Sequence, residues 1–536
     1  MTYNRIFKQI YTVTLGVAIS IFPLLTSCES EVVDLEPVDR LSDATAYTTP
    51  NRCELSMVGA YDAAQCGIYN ASYSRGYPFG AASIIQGEMR GEDMINTASF
   101  YQITYQNTYS VSTANNLYMW QASFEAINRY NTVLAGQTKA AADGVISESV
   151  GNQYKGECLF LRALTYHHLM IHFANPVNVG GNNNYGMPLY LTPINTPTDI
   201  EEALKIGRSS VEETYAQIIK DLDDAEKLLP EAVAANSITR ASKGAAIALK
   251  TRVYLHKRDW ANVMKEAAKL APSAPYSSPI GGYKLESSPA TPFTSYANNS
   301  ESIFSVENNS DDNGSVNGAM SAMFSARTGG RSLVTISPTI YNTSYWLEDD
   351  KRRSLLFYRA SDDFYFCDKY QNPTTREEYA PIIRYSEVLL NYAEAALRSG
   401  NKDLALELLN TVRDRSLADP TTQSYKAEDF GTTVDMLKAI LWERRIELFG
   451  EGFRWPDIHR LAVDNLVPSG GIPAKIAYNT KTKNKGIFKF GAAIDESWYL
   501  ASAKFIPYTD KRFLWPIPIN DLLRNPTLAK QQNAGW

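Results

Sequence analysis

Only five histidines and five cysteines occur in 536 residues, and neither type is arranged for chemistry. The cysteines stand at 28, 53, 66, 158 and 367 with no Cys-x-x-Cys spacing, which excludes the common zinc and redox motifs. His168 and His172 fall at i, i+4 and could share a metal ion. They stand on a strongly apolar helix with no Glu beside them, so packing is the better reading. The chain also lacks a Gly-x-Ser-x-Gly elbow, a phosphate loop, Gly-x-Gly-x-x-Gly and His-Glu-x-x-His. A formal net charge of -6 provides no basic footprint for nucleic acid. Beyond the amino end no apolar run approaches the roughly 20 residues that span a bilayer. Neither a metal nor a cofactor is expected. Two tempting acidic stretches fail on inspection. Glu348-Asp349-Asp350 runs into Lys351-Arg352-Arg353 and reads as a solvated, ion-paired turn rather than the separated acid pair of a glycosidase. "DDNGS" at 311–315 lacks the closing Glu of a calcium loop.

What is present begins at the amino end. Arg5 and Lys8 precede an apolar run from Ile10 to Leu24, about the length of a signal-peptide core. Leu25-Thr26-Ser27-Cys28 then resembles a bacterial lipobox, in which Cys28 is acylated and becomes the first mature residue. Residues 1–27 are therefore read as a lipoprotein signal and 28–50 as an acidic linker, with the folded domain over 51–536. Cys53 and Cys66 are near enough in sequence to bridge in an oxidising compartment. Cys158 lies in an apolar helical stretch and reads as a buried thiol. Tyrosine is abundant, 33 against 20 Phe and 8 Trp, which suits a wet, recognition-rich surface.

The fold class expected is all-α. Helical periods run over Leu117–Leu134, Tyr154–Phe173 and Val211–Leu229, the second apolar on more than one face and so deeply buried. Two helical hairpins follow. One covers Ala241–Leu270 and turns at Lys257-Arg258-Asp259-Trp260; the other covers Ile382–Arg415 and turns at Ser399-Gly400-Asn401. Small residues at the helix crossing, such as Ala393 and Ala405, give both a degenerate tetratricopeptide (TPR) pattern. Separated by over a hundred residues, they must frame one domain rather than stack as a solenoid. Between the helices lie two long insertions, about 69–109 and 273–371, rich in Gly, Ser, Asn, Pro and aromatics and without a helical period. Insertions of that length are usually functional.

The helix "GECLFLRALTYHHLMIHF", the hairpin start "IIRYSEVLLNYAEAAL", the segment "ERRIELFGEGFRWPDIHRL" and the ending "LWPIPINDLLRNPTLAKQQNAGW", following a lipoprotein signal, together resemble the SusD/RagB family. The resemblance implies a TPR-framed lipoprotein on the outer face of an outer membrane, held by Cys28. It implies a binding protein without catalytic activity, which takes glycans and delivers them to a SusC-like TonB-dependent transporter. It also implies that the acids after Cys28 (Glu29, Glu31, Asp34, Glu36) signal surface display. The alternatives are a RagB-like peptide- or protein-binding lipoprotein and a secreted helical glycosidase. Apart from the family, Trp442 to Trp455 reads as a structural knot of aromatic and ionic side chains.

A sugar site needs exposed aromatic platforms and polar groups for hydroxyls. The first insertion offers Tyr73, Tyr77, Arg90, Asp93, Asn96, Phe100 and Tyr101. The second offers Tyr296, Phe324, Tyr341, Tyr345 and Trp346, with Asn298, Asn317 and Arg327 nearby. Trp346, the largest ring in a long polar loop, is the leading platform candidate.

Overall fold

The computed structural model describes residues 45–65, 68–69, 73–74, 76–180, 184–231, 238–479, 482 and 485–536. Cys28, the signal segment 1–27, most of the linker and Cys66 lie outside the described residues. Cys53 stands as a free, buried thiol, and Cys158 is likewise buried and free.

Long helices dominate, and the sequence shows why each starts and stops. Helix α1 (Pro50–Gln65) opens on proline, whose fixed φ suits a first turn. A short buried helix α2 (Ala81–Arg90) precedes α3 (Ala114–Ala142) and α4 (Glu148–Phe173). The Ser147 hydroxyl caps α4 by accepting the Val150 amide at 3.3 Å. A reciprocal capping box of Ser210 and Glu213 opens α5 (Val211–Leu228), which ends before Pro230. In the first hairpin, α6 (Lys243–Lys257) closes on Arg258 in the left-handed region and Asp259 caps α7 (Trp260–Leu270). In the second, Gly400 at φ +88° separates α8 (Tyr385–Arg398) from α9 (Lys402–Asp414), which Asn401 caps. Helix α10 (Thr433–Glu447) and the short α11 (Arg454–Arg460) complete the set used here.

Helices α3 to α9 pack each against the next, so α7 meets α8 although the second insertion separates them in sequence. That contact joins the two hairpins into one frame. Helix α8 is its centre, buried from Tyr385 to Leu397.

The insertions depart from expectation. Parts of both are built into the interior. Every residue of α2 is buried, and the second insertion supplies strands to the interior. Strand β1 (Met94–Asn96) pairs antiparallel with β3 (Val334–Ile336), placing Asn96 opposite Val334. Strand β2 (Ser302–Val306) pairs with β6 (Ala380–Arg384), and β4 (Leu356–Arg359) with β5 (Phe364–Cys367). All are short, and the β1–β3 and β2–β6 pairs join segments far apart in sequence, so no local periodicity announces them.

The turn at 348–353 also departs from its solvated reading. Glu348 and Asp349 are exposed, but Asp350 and Arg352 are buried. The guanidinium of Arg352 grips Asp350 at 2.7 Å and reaches Glu443 and Glu447 of α10. Around Glu447 the buried charges form one network. Arg384 binds Glu447 at 2.9 Å and Glu451 at 2.8 Å, Arg415 binds Glu447 at 2.6 Å, and Lys369 binds Glu451 at 2.7 Å. These guanidinium groups hold the Glu447 carboxyl well below the usual range despite its burial.

The carboxyl end is sewn into the same body. Arg208 donates to the Phe173 carbonyl at 2.8 Å, to the Gln531 carbonyl at 3.0 Å and to Asn533 at 2.8 Å. Asn533 in turn donates to the carbonyls of Phe173 and Trp515.

Candidate functional site

Six of the proposed ligand residues are buried and have internal work to do. Trp346 has no exposed surface; its ring lies beside Phe449, with the Arg353 guanidinium 4.7 Å from its centroid. It is core, not a platform, because its segment folds inward onto the end of α10. Arg90 sits 3.5 Å over the Trp455 ring, and Asp93 is held by Arg445. Tyr77 accepts from Gln86 at 2.9 Å, Tyr101 approaches the Met323 sulfur, and Phe324 packs on Tyr370. None of these six presents a face to a ligand.

The remaining candidates divide. Tyr296 stands edge-on to Tyr379, Tyr341 stacks on Tyr365 at 4.9 Å, and Tyr345 stacks on Trp442 at 5.5 Å. Tyr73 lies on a two-residue strand paired with Ile68–Tyr69. Asn96 and Phe100 are brought to the second insertion by the β1–β3 ladder, and the Arg331 guanidinium lies 5.1 Å from the Phe100 ring. Arg331 also donates to Asn317 at 2.6 Å. The two insertions therefore do meet, as one site would need.

A cleft of about 390 Å³ lies elsewhere, between α1 and the turn after β2. One wall is a single face of α1: Val58, Tyr61, Asp62 and Gln65 recur at i, i+3, i+4 and i+7. Opposite stand Glu307, Asn309 and Asp312 from the turn after β2, with Thr239 and Arg240 also lining the cleft. The wall is rigid. The Tyr61 hydroxyl donates to Glu157 at 2.6 Å and accepts the Ala241 amide at 2.9 Å. Arg240 pairs with Glu157 and Glu54, each at 2.6 Å, and lies 5.1 Å from the Tyr61 ring. Gln65 donates to the Glu307 carbonyl at 2.8 Å, tying the walls together. The Asn309 side chain folds the opposite turn by accepting the amides of Asp311 and Asp312. That leaves the carboxylates of Asp62 and Asp312 exposed at the cleft. Partial burial, and then repulsion from Asp312, raises the Asp62 carboxyl, with Arg129 acting in the opposite sense.

A second, smaller cavity of about 80 Å³ lies between α2, α4 and α6. All five histidines gather on or beside it. His168 and His172 have ring centroids 5.0 Å apart, and His167 and His256 are 4.8 Å apart. His168 bonds Ser83 at 2.9 Å, while His459 lies behind, bonded to the Ala174 carbonyl at 2.8 Å. Burial lowers every one of the five imidazoles, His168 to about 4 and His459 to about 3. Among the described residues no group of three His, Cys, Asp or Glu side chains is placed to hold a metal ion.

Comparison with known proteins assigns the family. The profile of the SusD family matches residues 348–536, and a second, described as starch-binding associating with outer membrane, matches residues 62–255. The chain belongs to the SusD/RagB family. It is 24% identical to SusD-like protein P38 of Formosa agariphila over 99% of both chains. A crystal structure of a SusD superfamily protein from Bacteroides fragilis superposes with a TM-score of 0.72 at 26% identity, covering 90% of this chain and 99% of that one. A laminarin-binding SusD-like protein superposes with a TM-score of 0.66 at 21% identity, covering 91% of this chain and all of that one. The helical, TPR-like architecture is the one these relatives share.

Within this SusD/RagB fold, the cleft residues Tyr61, Asp62, Gln65, Arg240, Asn309 and Asp312 are absent from the sequence-based candidates. One signal was legible. The α1 face at 58, 61, 62 and 65 mixes an apolar residue with three hydrogen-bonding ones, an arrangement suited to neither core nor plain solvent. Its opposite wall is joined by contacts between residues 242 apart, which no spacing discloses.

Proposed function

We propose that this SusD/RagB-family protein is a lipid-anchored, surface-exposed glycan-binding protein that passes oligosaccharides to a SusC-like TonB-dependent transporter. The cleft carries the binding part of the reading. It offers a fixed tyrosine ring, an exposed valine and a set of oxygen acceptors, the combination that sugar faces and hydroxyls require. The laminarin-binding neighbour and the starch-binding profile support the same ligand class. The domain limits set out above, with an acylated Cys28 ahead of an acidic linker, belong to this proposal.

No hydrogen bond among the described residues ties the carboxylate of Asp62 or Asp312, so these side chains are free for a ligand's hydroxyls. Replacing both with Ala is expected to weaken glycan binding by about 1.5–3 kcal/mol, the range for hydrogen bonds to a charged group. The melting temperature should hardly move. Calorimetric titration of the purified mature protein with a glycan panel measures the first quantity and thermal unfolding the second; unchanged affinity would place the site elsewhere. Release of reducing ends during those titrations would instead favour hydrolysis by this acid pair.

Anchoring is tested separately. Cys28→Ala should leave the protein in the soluble fraction or retained as precursor, because several acyl chains bind a bilayer far more tightly than side-chain contacts. Equal recovery of variant and parent in outer membranes contradicts the lipobox.

A further inference from the structure

The cleft has a sign as well as a shape. Asp62, Glu307 and Asp312 line it, and all three are exposed. Its lining guanidinium, Arg240, is already occupied: Nε and Nη2 clamp Glu157 while Nη1 takes Glu54. The crowding is felt by the carboxylates themselves: after burial, Asp312 opposes ionisation of Asp62, with Arg129 acting in the opposite sense. Ionised carboxylates only accept hydrogen bonds, so a partner for this wall must donate them. Sugar hydroxyls do. Sulfate esters and uronate carboxylates are themselves acceptors and carry the wrong charge. Resting on the glycan-binding reading, we infer that this cleft takes uncharged, hydroxyl-bearing glycans and excludes polyanionic ones. Asp62 and Asp312 set that specificity by opposing a second negative charge, which is discrimination by repulsion rather than by an added contact.

Backbone-matched pairs test it: laminarin against sulfated laminarin, dextran against dextran sulfate, and methyl-esterified against de-esterified homogalacturonan. Each is titrated into the mature protein at low and at high salt. Where a backbone binds, its uncharged member should bind at least about tenfold more tightly at low salt, and the gap should narrow as salt screens the carboxylates. The double variant Asp62→Asn, Asp312→Asn should narrow the gap without added salt. A charged member that binds as tightly as its uncharged partner, or more tightly, overturns the charge selection while leaving glycan binding standing. Silence from every pair overturns glycan binding itself, and this inference with it.

Discussion

Acidifying the protein from pH 7.5 to 5 is expected to remove several kcal/mol of stability, read as a falling urea midpoint. The five clustered histidines are the cause. An unfolded histidine takes up a proton below about pH 6.5, whereas burial keeps these imidazoles neutral in the fold. The unfolded chain therefore binds more protons in this window, and stability falls with pH. Their contribution is complete above the unfolded value and drains away as pH descends towards the folded ones, about 4 for His168 and about 3 for His459. By pH 5 each such group has cost about 2 kcal/mol. His167, His172 and His256 are shifted in the same direction, and Arg252 and Arg90 nearby add to the repulsion that a proton would meet. Glu88 acts oppositely: burial, then repulsion from Asp93, raises its carboxyl to about 8. It returns about 3 kcal/mol over the same interval. Carboxylates such as Glu92 and Glu394, held at about 2 by their arginine partners, stay ionised throughout. The balance is a large share of the roughly 5–15 kcal/mol that holds a domain together. A midpoint that stays level or rises towards pH 5 contradicts this account.

The second large effect is expected at Arg384. It is 1% exposed and touches Glu301, Glu447 and Glu451. Arg384→Met removes the cation and leaves those buried carboxylates with only Arg415, Arg352 and Lys369 among them. Unpairing a buried charge costs about 3–5 kcal/mol, which chemical denaturation would register as a large fall in midpoint. Arg384→Lys should recover only part, because an ammonium lacks the planar, five-donor fork with which the guanidinium engages Glu301, Glu447 and Glu451 in fixed geometry. A Met variant within about 1 kcal/mol of the parent would show that the remaining cations suffice.

Sequence legibility follows the range of the contacts. The hairpin turns at Asp259 and Gly400 and the stop at Pro230 depend on neighbours a few residues away, and the long helices fall on their expected periods, although α3 runs beyond 117–134 to Ala114–Ala142 and Ile382–Arg384 end strand β6 rather than open a helix. Helix α4 begins six residues before Tyr154, at Glu148, since Ser147 and Glu148 supply a start signal that the apolar period alone does not carry. The insertions were misread because their polar letters find distant partners. By composition Ser83, Gln86, Glu88 and Arg90 suggest solvent-facing loop positions. Instead Ser83 meets His168, Gln86 meets Tyr77, Glu88 accepts the Gly452 amide, and Arg90 reaches the Phe513 carbonyl. Trp346 was misplaced for the same reason, since its neighbours Phe449 and Arg353 are not visible from a loop's composition. For the cleft, the face of α1 was legible and the opposing wall was not.

The stitching of Arg208 to Gln531 spans 323 residues, and that of Asn533 to Phe173 spans 360. Such spans matter while the chain is being made. Helix α4 can form as it leaves the ribosome and Arg208 reaches its last carbonyl soon after, but Trp515 and Asn533, which also serve that end, emerge only near the close of synthesis. Translation adds roughly 5–20 residues per second, so the amino-terminal half waits many seconds for its partners. Until Trp515, Gln531 and Asn533 are made, the contacts that tie the carboxyl end of α4 and Arg208 to the end of the chain cannot form.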